Sequence, residues 1–343
     1  MSNSFKPFTT SDVAVTKTLL HEVVPLTGTI VSGTYSDTNI KNYSHGMFQS
    51  VFDYPYLSSS ANHIFDLTVG YSSTSALSSS TNTQNNKKIN IYNQMAQVLM
   101  GFDVDGNVQQ FDQDGNLSSG GTKLTECFFL SFSRLLSKDE IKKGSFTLNT
   151  YKAGTNASPS TLLTISDYGA ATDYRTNSPS GEYGILYTSS AAVDGTGVGL
   201  IYYQAGIAVL TASLFTAQFG PRADTSTYTG SVSTYLASGS ITGSCDGFRN
   251  RLNNVQFNNT TELNSSIYFC RANHNEFNYS SNPTYLEDGK IVVKNVSSDA
   301  PVSYITTVGL YSADNELLAV AKLSEPLKKS VDNELTIRTR LDF

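Results

Sequence analysis

The chain has 343 residues, of which 15% are charged, and a formal net charge of −6. Charged residues make up about 25% of an ordinary soluble domain, so uncharged polar residues replace part of the usual charge. The acidic balance argues against nucleic-acid binding, because gripping phosphates needs a basic face. The chain contains 20 Tyr, 18 Phe and no Trp. A Tyr-rich surface of low charge is typical of proteins that pack against other proteins, although a β-rich domain also favours these residues.

The three cysteines, Cys127, Cys245 and Cys270, are an odd number in a long chain and predict no disulfide framework. The first residues, "MSNSFKPFTTSDVAV", lack the apolar core of a signal peptide. The sequence therefore predicts a protein that is made and kept in a reducing cytosol.

The first seventy residues have the composition of extended chain. The stretch His63–Ser72 alternates apolar and polar residues, which predicts a strand. The next stretch, Ser72–Asn86, is rich in Ser, Thr and Asn. Because it has too few apolar residues to offset the entropy of ordering, we expect it to be disordered in the free protein.

Two short helices are predicted. Residues 88–100 carry apolar side chains at helical spacing, followed by a glycine stop; these are Ile89, Tyr92, Met95 or Ala96, Leu99 and Gly101. Residues 137–143 begin with a capping box formed by Ser137 and Glu140, and Gly144 ends the segment.

The stretch "GFDVDGNVQQFDQDGNL", Gly101–Leu117, contains D-x-D-G-N twice. The acidic residues are Asp103, Asp105, Asp112 and Asp114. An EF-hand calcium loop needs Gly at position 6 and Glu at position 12, and neither is present here. Asp-Gly between apolar strands is a strong turn signal, so the pattern favours two turns. Calcium binding stays open as the alternative.

Residues 160–220 predict successive strands. The uncharged stretch between Asp194 and Arg222 is long enough to cross a bilayer. Its Gln204, Gln218 and repeated glycines favour two strands around a turn, so no membrane insertion is expected.

The fold class predicted from these elements is mainly β (α+β), with antiparallel sheets in a β-sandwich-like body and a few short helices. Residues 1–222 form a predicted N-terminal β-rich domain, and 245–343 form a C-terminal antiparallel β domain. The Ser/Thr/Gly-rich residues 223–244 have the composition of a linker or long loop. A single body is the alternative.

The C-terminal region predicts a hairpin. Its strands are Tyr304–Tyr311 and Glu316–Leu323, its turn is Ser312–Asn315, and Pro326 is expected to stop it. In the last segment, "ELTIRTRLDF", one face carries apolar side chains, namely Leu335, Ile337, Leu341 and Phe343. A terminal strand of this kind is expected to join a sheet, either this hairpin or the edge of a partner.

The sequence predicts no enzyme and no catalytic, cofactor-binding or metal-binding residues. It contains no G-x-S-x-G, phosphate loop or dinucleotide fingerprint. The pair Cys270-x-x-x-His274 has the spacing of half a zinc site, but Cys270 lies in a strand-like segment and the other half is missing.

Several segments resemble virion structural proteins of large contractile-tailed bacteriophages, especially those that infect cyanobacteria. The segments are Glu276–Tyr285, Ser303–Lys329, the terminal "TIRTRLDF", Ser137–Leu148 and Tyr202–Thr211. The resemblance touches both halves of the chain in patches, and the named segments make up 67 of its 343 residues. It implies a structural role in the tail, baseplate or neck, and it carries no catalytic residues.

The expected function is thus a non-enzymatic part of a tailed-phage virion, assembled in the host cytoplasm. Its expected partners are other virion proteins and copies of itself in a symmetric assembly. The baseplate or the adjoining tail or neck is the expected station. The alternative is a tail-fibre protein that binds carbohydrate on the host surface, although such a fibre should show internal repeats, and we find none at periods of 20 to 50 residues.

Overall fold

This computed structural model describes residues 5–21, 37–117, 120–132, 140–154, 159–189, 196–215, 219, 230–279, 286–287, 290–291, 298 and 301–342. Its helices are α1 (Asn85–Leu99), α2 (Val232–Ser238) and α3 (Ile241–Arg249). Its strands are β1 (Val13–His21), β2 (Ile40–Asn42), β3 (Gln49–Phe52), β4 (His63–Tyr71), β5 (Glu126–Ser131), β6 (Glu140–Ile141), β7 (Thr147–Gly154), β8 (Pro159–Ser166), β9 (Tyr183–Leu186), β10 (Gly199–Tyr202), β11 (Ile207–Thr211), β12 (Leu252–Gln256), β13 (Asn259–Ala272), β14 (Leu286–Glu287), β15 (Lys290–Ile291), β16 (Val302–Tyr311), β17 (Leu317–Ser330) and β18 (Leu335–Asp342).

The chain divides into two compact units. The terminal unit combines Met1–Leu19 with Glu262–Phe343, and the central unit is Leu20–Thr261. Strands are the commonest regular structure of the described residues and form several sheets, and every pairing whose register is described is antiparallel. The predicted class, a mainly β fold with a few short helices, is confirmed.

A seven-stranded sheet, in the order β2-β3-β4-β5-β11-β10-β9, forms the centre of the central unit. Most residues of β5, β10 and β11 are buried, because these strands lie in the middle of the sheet and are covered on both faces. The predicted hairpin in the uncharged stretch is confirmed, since Leu200 pairs with Val209 and Tyr202 with Ile207. No helix in the described part of the chain is long and apolar enough to span a membrane.

Helix α1 confirms the prediction for residues 88–100, and it packs unusually close to β4. Gly70 of β4 makes this possible, because a Cβ there would lie 2.6 Å from the carbonyl oxygen of Lys88 and 2.8 Å from the nitrogen of Tyr92. The buried residues of α1 are Lys88, Ile91, Tyr92, Ala96 and Leu99. Lys88, rather than the predicted Ile89, therefore begins the buried stripe.

The predicted helix at 137–143 is wrong over its described residues. Residues 137–139 lie outside the described part of the chain, and Glu140–Ile141 form strand β6, which pairs with Thr260 and Asn259 of β13. Both β6 residues are buried. Tertiary pairing and burial thus override the local capping signal.

The predicted linker at 223–244 is also wrong where the structure describes it. Residues 232–238 form α2, and α3 begins at Ile241. The Ser231 hydroxyl accepts a hydrogen bond from the Thr234 nitrogen, and the Ser240 hydroxyl accepts one from the Gly243 nitrogen. The serines that suggested a linker are helix N-caps. The two-unit division accordingly differs from the predicted boundaries at 222 and 245.

The Ser/Thr/Asn stretch Ser72–Asn86 is ordered in the structure, contrary to the expectation of disorder. The Ser80 hydroxyl donates to the Ala237 carbonyl over 2.7 Å, and the Gln84 side chain accepts from the Ile241 nitrogen over 2.8 Å. The Asn85 side chain donates to the Ser78 carbonyl over 2.8 Å. Polar contacts with the ends of α2 and α3 replace the apolar burial that the sequence lacks.

Lys88 is fully buried and caps the C-terminal end of α2. Its Nζ donates to the carbonyls of Leu236 over 2.5 Å and Gly239 over 2.8 Å. It also lies 5.8 Å from the centre of the Tyr71 ring. Burial lowers the pKa of this ammonium group to about 8, because carbonyl dipoles compensate only part of the lost hydration.

The terminal strand β18 joins β13, which corrects both partners expected for it. The pairing runs from Ser265 opposite Asp342 to Ala272 opposite Leu335. The predicted alternation is confirmed, with Leu335, Ile337 and Leu341 half-buried and both arginines exposed. Phe343 lies outside the described residues. Pairing inside the same chain satisfies the backbone groups of β18 along one edge.

The predicted hairpin is confirmed as β16 and β17, but Pro326 does not stop it. Strand β17 continues to Ser330, and the pairing jumps from Thr307 opposite Lys322 to Ile305 opposite Leu327. Four residues of β17, including Pro326, thus lie opposite the single residue Thr306. A bulge of this kind tolerates proline because residues in a bulge need not donate a backbone hydrogen bond to the neighbouring strand, and the proline nitrogen has no hydrogen to donate.

Lys88 gives a pH-dependence of stability with a defined sign. Its pKa is about 8 in the folded chain and about 10.5 when unfolded, so between these values the unfolded chain binds more protons. The unfolding free energy of the wild type, relative to the variant Lys88→Met, should therefore rise by up to about 3 kcal/mol between pH 8 and pH 10.5. Urea denaturation of both proteins at several pH values measures this difference. A flat difference would contradict the buried cation.

Candidate interaction surface

The terminal unit exposes far more apolar surface than its size predicts. Of the twenty large apolar side chains that are exposed among the described residues, twelve belong to this unit, which is under a third of the chain. They are Phe5, Phe8, Val15, Phe277, Tyr279, Tyr304, Tyr311, Leu317, Leu318, Val320, Leu327 and Val331. Single exposed apolar residues are ordinary, but a concentration of them marks an interaction surface.

The same unit buries little apolar surface of its own. Among its described residues, the buried apolar side chains are Ile267, Ala272, Val302 and Leu310, each 6% to 9% exposed. The core cluster of the described chain lies between Ile40 and Phe257, within the central unit. The apolar residues of the terminal unit are therefore placed mainly at its surface rather than in a core.

The hairpin β16–β17 carries much of this exposed surface. Gly309 pairs with Val320, and Tyr311 pairs with Leu317 next to it. Val320 and Leu317 are each 52% exposed, whereas the alternate residues on the opposite face, such as Leu310, are more buried. Near the turn the outer face is thus apolar and lacks a side chain at Gly309, and two residues further along it carries Thr307 opposite Lys322.

A second exposed aromatic group lies at the base of the hairpin. The buried Lys329 donates to the Asn278 side chain over 2.7 Å and to the His274 carbonyl over 3.3 Å. The Ser303 hydroxyl donates to the carbonyl of Phe277, whose φ of 57° is in the left-handed region. These bonds hold the segment 273–279 so that Phe277 and Tyr279 remain exposed. Strained backbone that is held in this way is often functional.

The central unit contains a buried acid–base cluster that has a structural geometry. Asp167 accepts hydrogen bonds from the Gly144 nitrogen over 2.7 Å, the Phe146 nitrogen over 3.1 Å and the Tyr203 hydroxyl over 2.9 Å. Burial raises the pKa of Asp167 to about 6, and these hydrogen bonds oppose the rise. Both of its oxygens already accept bonds, so the carboxylate holds the turn before β7 to the end of β10.

Lys143 extends this cluster. Its Nζ lies 2.5 Å from Glu182 Oε2 and 3.5 Å from Glu140 Oε1. The ammonium group forms ion pairs with both carboxylates and ties β6 to the start of β9. Paired groups of this kind fix loops rather than offer a free acid or base.

A second group contains Ser, His and Asp but lacks the order of a hydrolytic triad. The Ser50 hydroxyl donates to Asp66 Oδ1 over 2.5 Å, and His63 Nε2 lies 2.8 Å from the same oxygen. In a hydrolase the histidine stands between the serine and the aspartate. Here the aspartate stands in the middle. A neighbouring cleft of about 280 Å³ is lined mainly by apolar side chains, among them Met47, Leu67, Ile91, Met95 and Phe129.

Three of the four aspartates of the repeated D-x-D-G-N pattern, Asp103, Asp105 and Asp114, lie in turns or bends as predicted, whereas Asp112 forms an isolated β-bridge with Lys123. Asp103 Oδ1 accepts from the nitrogens of Asp105 over 2.9 Å and Asn107 over 2.8 Å. Asp114 Oδ1 accepts from the Asn116 nitrogen over 3.1 Å. Gly106 and Gly115 have φ of 81° and 68°, as such turns require. Backbone hydrogen bonds, led by the one from Asn107, lower the pKa of Asp103.

Asp112 differs because it is buried. Its Oδ2 accepts from the Leu117 nitrogen over 2.8 Å and lies 2.9 Å from Lys123 Nζ. Across the described residues, no group of three or more His, Cys, Asp or Glu could hold a metal ion. Asp112 is thus a buried ion-pair partner beside the second turn.

The weak zinc pattern is not assembled in the structure. Cys270 lies in β13 opposite Ile337 of β18, and His274 Nδ1 lies 3.4 Å from Glu334 Oε1. Cys127, Cys245 and Cys270 are free thiols, and burial raises the pKa of all three. Raised thiol pKa values keep these cysteines protonated at neutral pH, and a protonated thiol is a poor nucleophile.

Two buried lysines were not predicted from the sequence: Lys88 in α1 and Lys329 in strand β17 of the terminal unit. Lys88 lies three and four residues before Ile91 and Tyr92, on the apolar face of α1. That spacing could have signalled it. Lys329 has no such signal, because its burial depends on the distant turn at 273–279.

Removal of calcium should leave the stability of the protein unchanged. The turn aspartates already bind backbone nitrogens, so they need no cation. A bound ion at one hundred times its dissociation constant would add about 2.7 kcal/mol. Thermal melts with and without a chelator measure this difference, and added magnesium serves as the control for ionic strength. A fall of several degrees with the chelator would contradict the turn interpretation.

No family model, curated protein or solved structure matches this chain. Two structural facts carry most weight: the apolar outer surface of the terminal unit, and its small buried apolar content.

Proposed function

We propose that this chain is a non-enzymatic structural component of a tailed-phage virion, in the baseplate or the adjoining tail or neck. The observation that carries the proposal is the exposed apolar surface of the terminal unit, together with the few apolar residues that the unit buries. When another protein covers such a surface, removing the apolar area from water contributes a favourable free energy of about 25 cal/mol for each Å².

The segments that resemble virion proteins support the proposal by their location. Ser303–Lys329 spans most of the exposed hairpin, and Glu276–Tyr285 includes the exposed Phe277 and Tyr279. Two of the five segments that carry the resemblance thus include residues available to a partner, whereas Tyr202–Thr211 lies mostly in buried strands. The buried acid–base cluster and the Ser50–Asp66–His63 group have arrangements that support structural roles.

A carbohydrate-binding role on a host-contacting fibre is the second candidate. Tyr54 is 57% exposed and Tyr56 is 37% exposed, close together in the central unit. Exposed aromatic rings stack on sugars through their apolar faces. Binding of the isolated protein to host-surface glycan, lost in Tyr54→Ala, would favour this role over the assembly role.

Mass spectrometry of purified virions tests the assembly role directly. We expect peptides of this chain in intact particles of the phage that encodes it, at a stoichiometry that fits a symmetric ring or disc. Density-gradient purification separates particles from free host and phage proteins. Absence of the chain from purified particles would overturn the proposal.

The variant Leu318→Ser/Val320→Ser should fold normally but fail to enter particles. Both side chains are more than half exposed, so their loss should change the unfolding free energy by only about 0.5 kcal/mol. Incorporation into particles should fall at least tenfold. The matched control is Leu162→Ser on β8 of the central unit, where Leu162 is 50% exposed. Normal incorporation of the hairpin variant would show that this surface is not an interface.

A further inference from the structure

The terminal unit is assembled from two segments that are distant in sequence. Its sheet has the order β1-β13-β18, so a strand from the start of the chain pairs beside strands from its end. We call residues 5–21 the N-terminal arm and the surface of residues 262–342 that receives it the seat. The arm contributes one edge strand and the 3-10 turn Thr10–Asp12.

The arm meets the seat through matched pairs of side chains. Two are aromatic, Phe5 with Tyr311 at 4.6 Å and Phe8 with Tyr268 at 5.4 Å between ring centres. Three are ion pairs: Lys6 Nζ to Glu276 Oε2 at 2.5 Å, Asp12 Oδ1 to Arg271 Nε at 2.8 Å, and Lys17 Nζ to Glu262 Oε2 at 2.5 Å. The arm and the seat are therefore complementary in charge and in shape.

These contacts are those of a reversible interface rather than of a core. Phe5 and Phe8 are 43% and 40% exposed, and every residue from Val15 to Thr18 is exposed. Exposed ion pairs contribute little free energy each. The arm is held mainly by strand pairing and ring contacts, so its release costs much less than opening the central unit would.

The sequence also provides the reach for an exchange. Fifteen residues, 22–36, separate β1 from the 3-10 turn Asp37–Asn39. A chain of this length spans up to about 50 Å when extended. Because an exchanged arm makes the same contacts as the original, the exchange itself is nearly neutral in energy, and domain swapping is a low-cost route between copies.

We propose that the N-terminal arm is exchanged between copies of this chain, so that residues 5–21 of one copy occupy the seat of the next. The partner is a second copy of this chain. Reciprocal exchange gives a dimer, and head-to-tail exchange gives a ring. This inference deepens the proposed function and rests on it only for the particle in which the exchange takes place.

Charge reversal in two different chains tests the exchange. The arm variant carries Lys6→Glu and Lys17→Glu, and the seat variant carries Glu276→Lys and Glu262→Lys. Alone, each variant places like charges between its arm and every available seat. Mixed, the reversed arm fits the reversed seat and the native arm fits the native seat, but only between chains. Native mass spectrometry of full-length chains with different tags should show at least tenfold more heteromer than homomer.

Two controls keep the test decisive. A single chain that carries all four substitutions regains opposite charges in its own arm and seat, and it should behave like the wild type. In an independent measurement, chains with Phe5→Cys are mixed with chains with Tyr311→Cys under oxidising conditions, and a covalent heterodimer is expected. The double variant in one chain checks that the two cysteines can bond. The absence of both the charge-matched heteromer and the covalent heterodimer would overturn arm exchange.

The two proposals fail separately. Arm exchange is measured on purified protein, so its absence leaves the virion role to be decided by the composition of particles. Conversely, arm exchange in a protein that is missing from particles would overturn the virion role alone.

Discussion

The close approach of α1 to β4 is the contact on which the central unit depends. Only glycine fits at position 70, because a Cβ would lie 2.6 Å from the Lys88 carbonyl. That approach brings Lys88 into the interior, where its ammonium group caps the end of α2. The ends of α2 and α3 in turn hold the polar stretch before α1. The close approach that Gly70 allows thus positions α1 on the sheet, and through Lys88 and the polar stretch Ser72–Asn86 it connects α1 with α2 and α3.

The two units divide stability and interaction between them. The central unit contains the large core cluster, including most of the buried aromatic rings. The terminal unit buries few apolar residues and exposes a hairpin, an aromatic group at the hairpin base and an N-terminal arm that is held by strand pairing, ring contacts and ion pairs. A unit that buries few apolar residues and exposes many suits a part that becomes most stable only when neighbours cover it.

The buried polar groups explain why acid–base residues here need not imply catalysis. Asp167, Lys143 and Lys88 are each occupied by backbone or side-chain partners at short distance. Burial raises the pKa of Asp167 and lowers that of Lys88, and burial also opposes the charge of Lys143, but Glu182 and Glu140 raise the pKa of Lys143 overall. The bonds of these groups join strands, turns and helix ends that the local sequence does not connect. Networks of this kind add specificity to a fold when every member has a partner.

Local patterns in the sequence were enough to predict the β-rich class, helix α1, the turns at Asp103 and Asp114, and the hairpin at residues 304–323, because apolar periodicity and turn chemistry are local. The remaining features depend on contacts between distant parts of the chain. Glu140–Ile141 became a strand because β13 was there to pair with it, and the supposed linker became α2 and α3 because its serines cap helices that bury Leu236 and Phe248. Strand β18 pairs with β13, and Lys329 is buried against the turn at 273–279. Pairing partners and burial of charge depend on residues far apart in the chain, which no local pattern encodes.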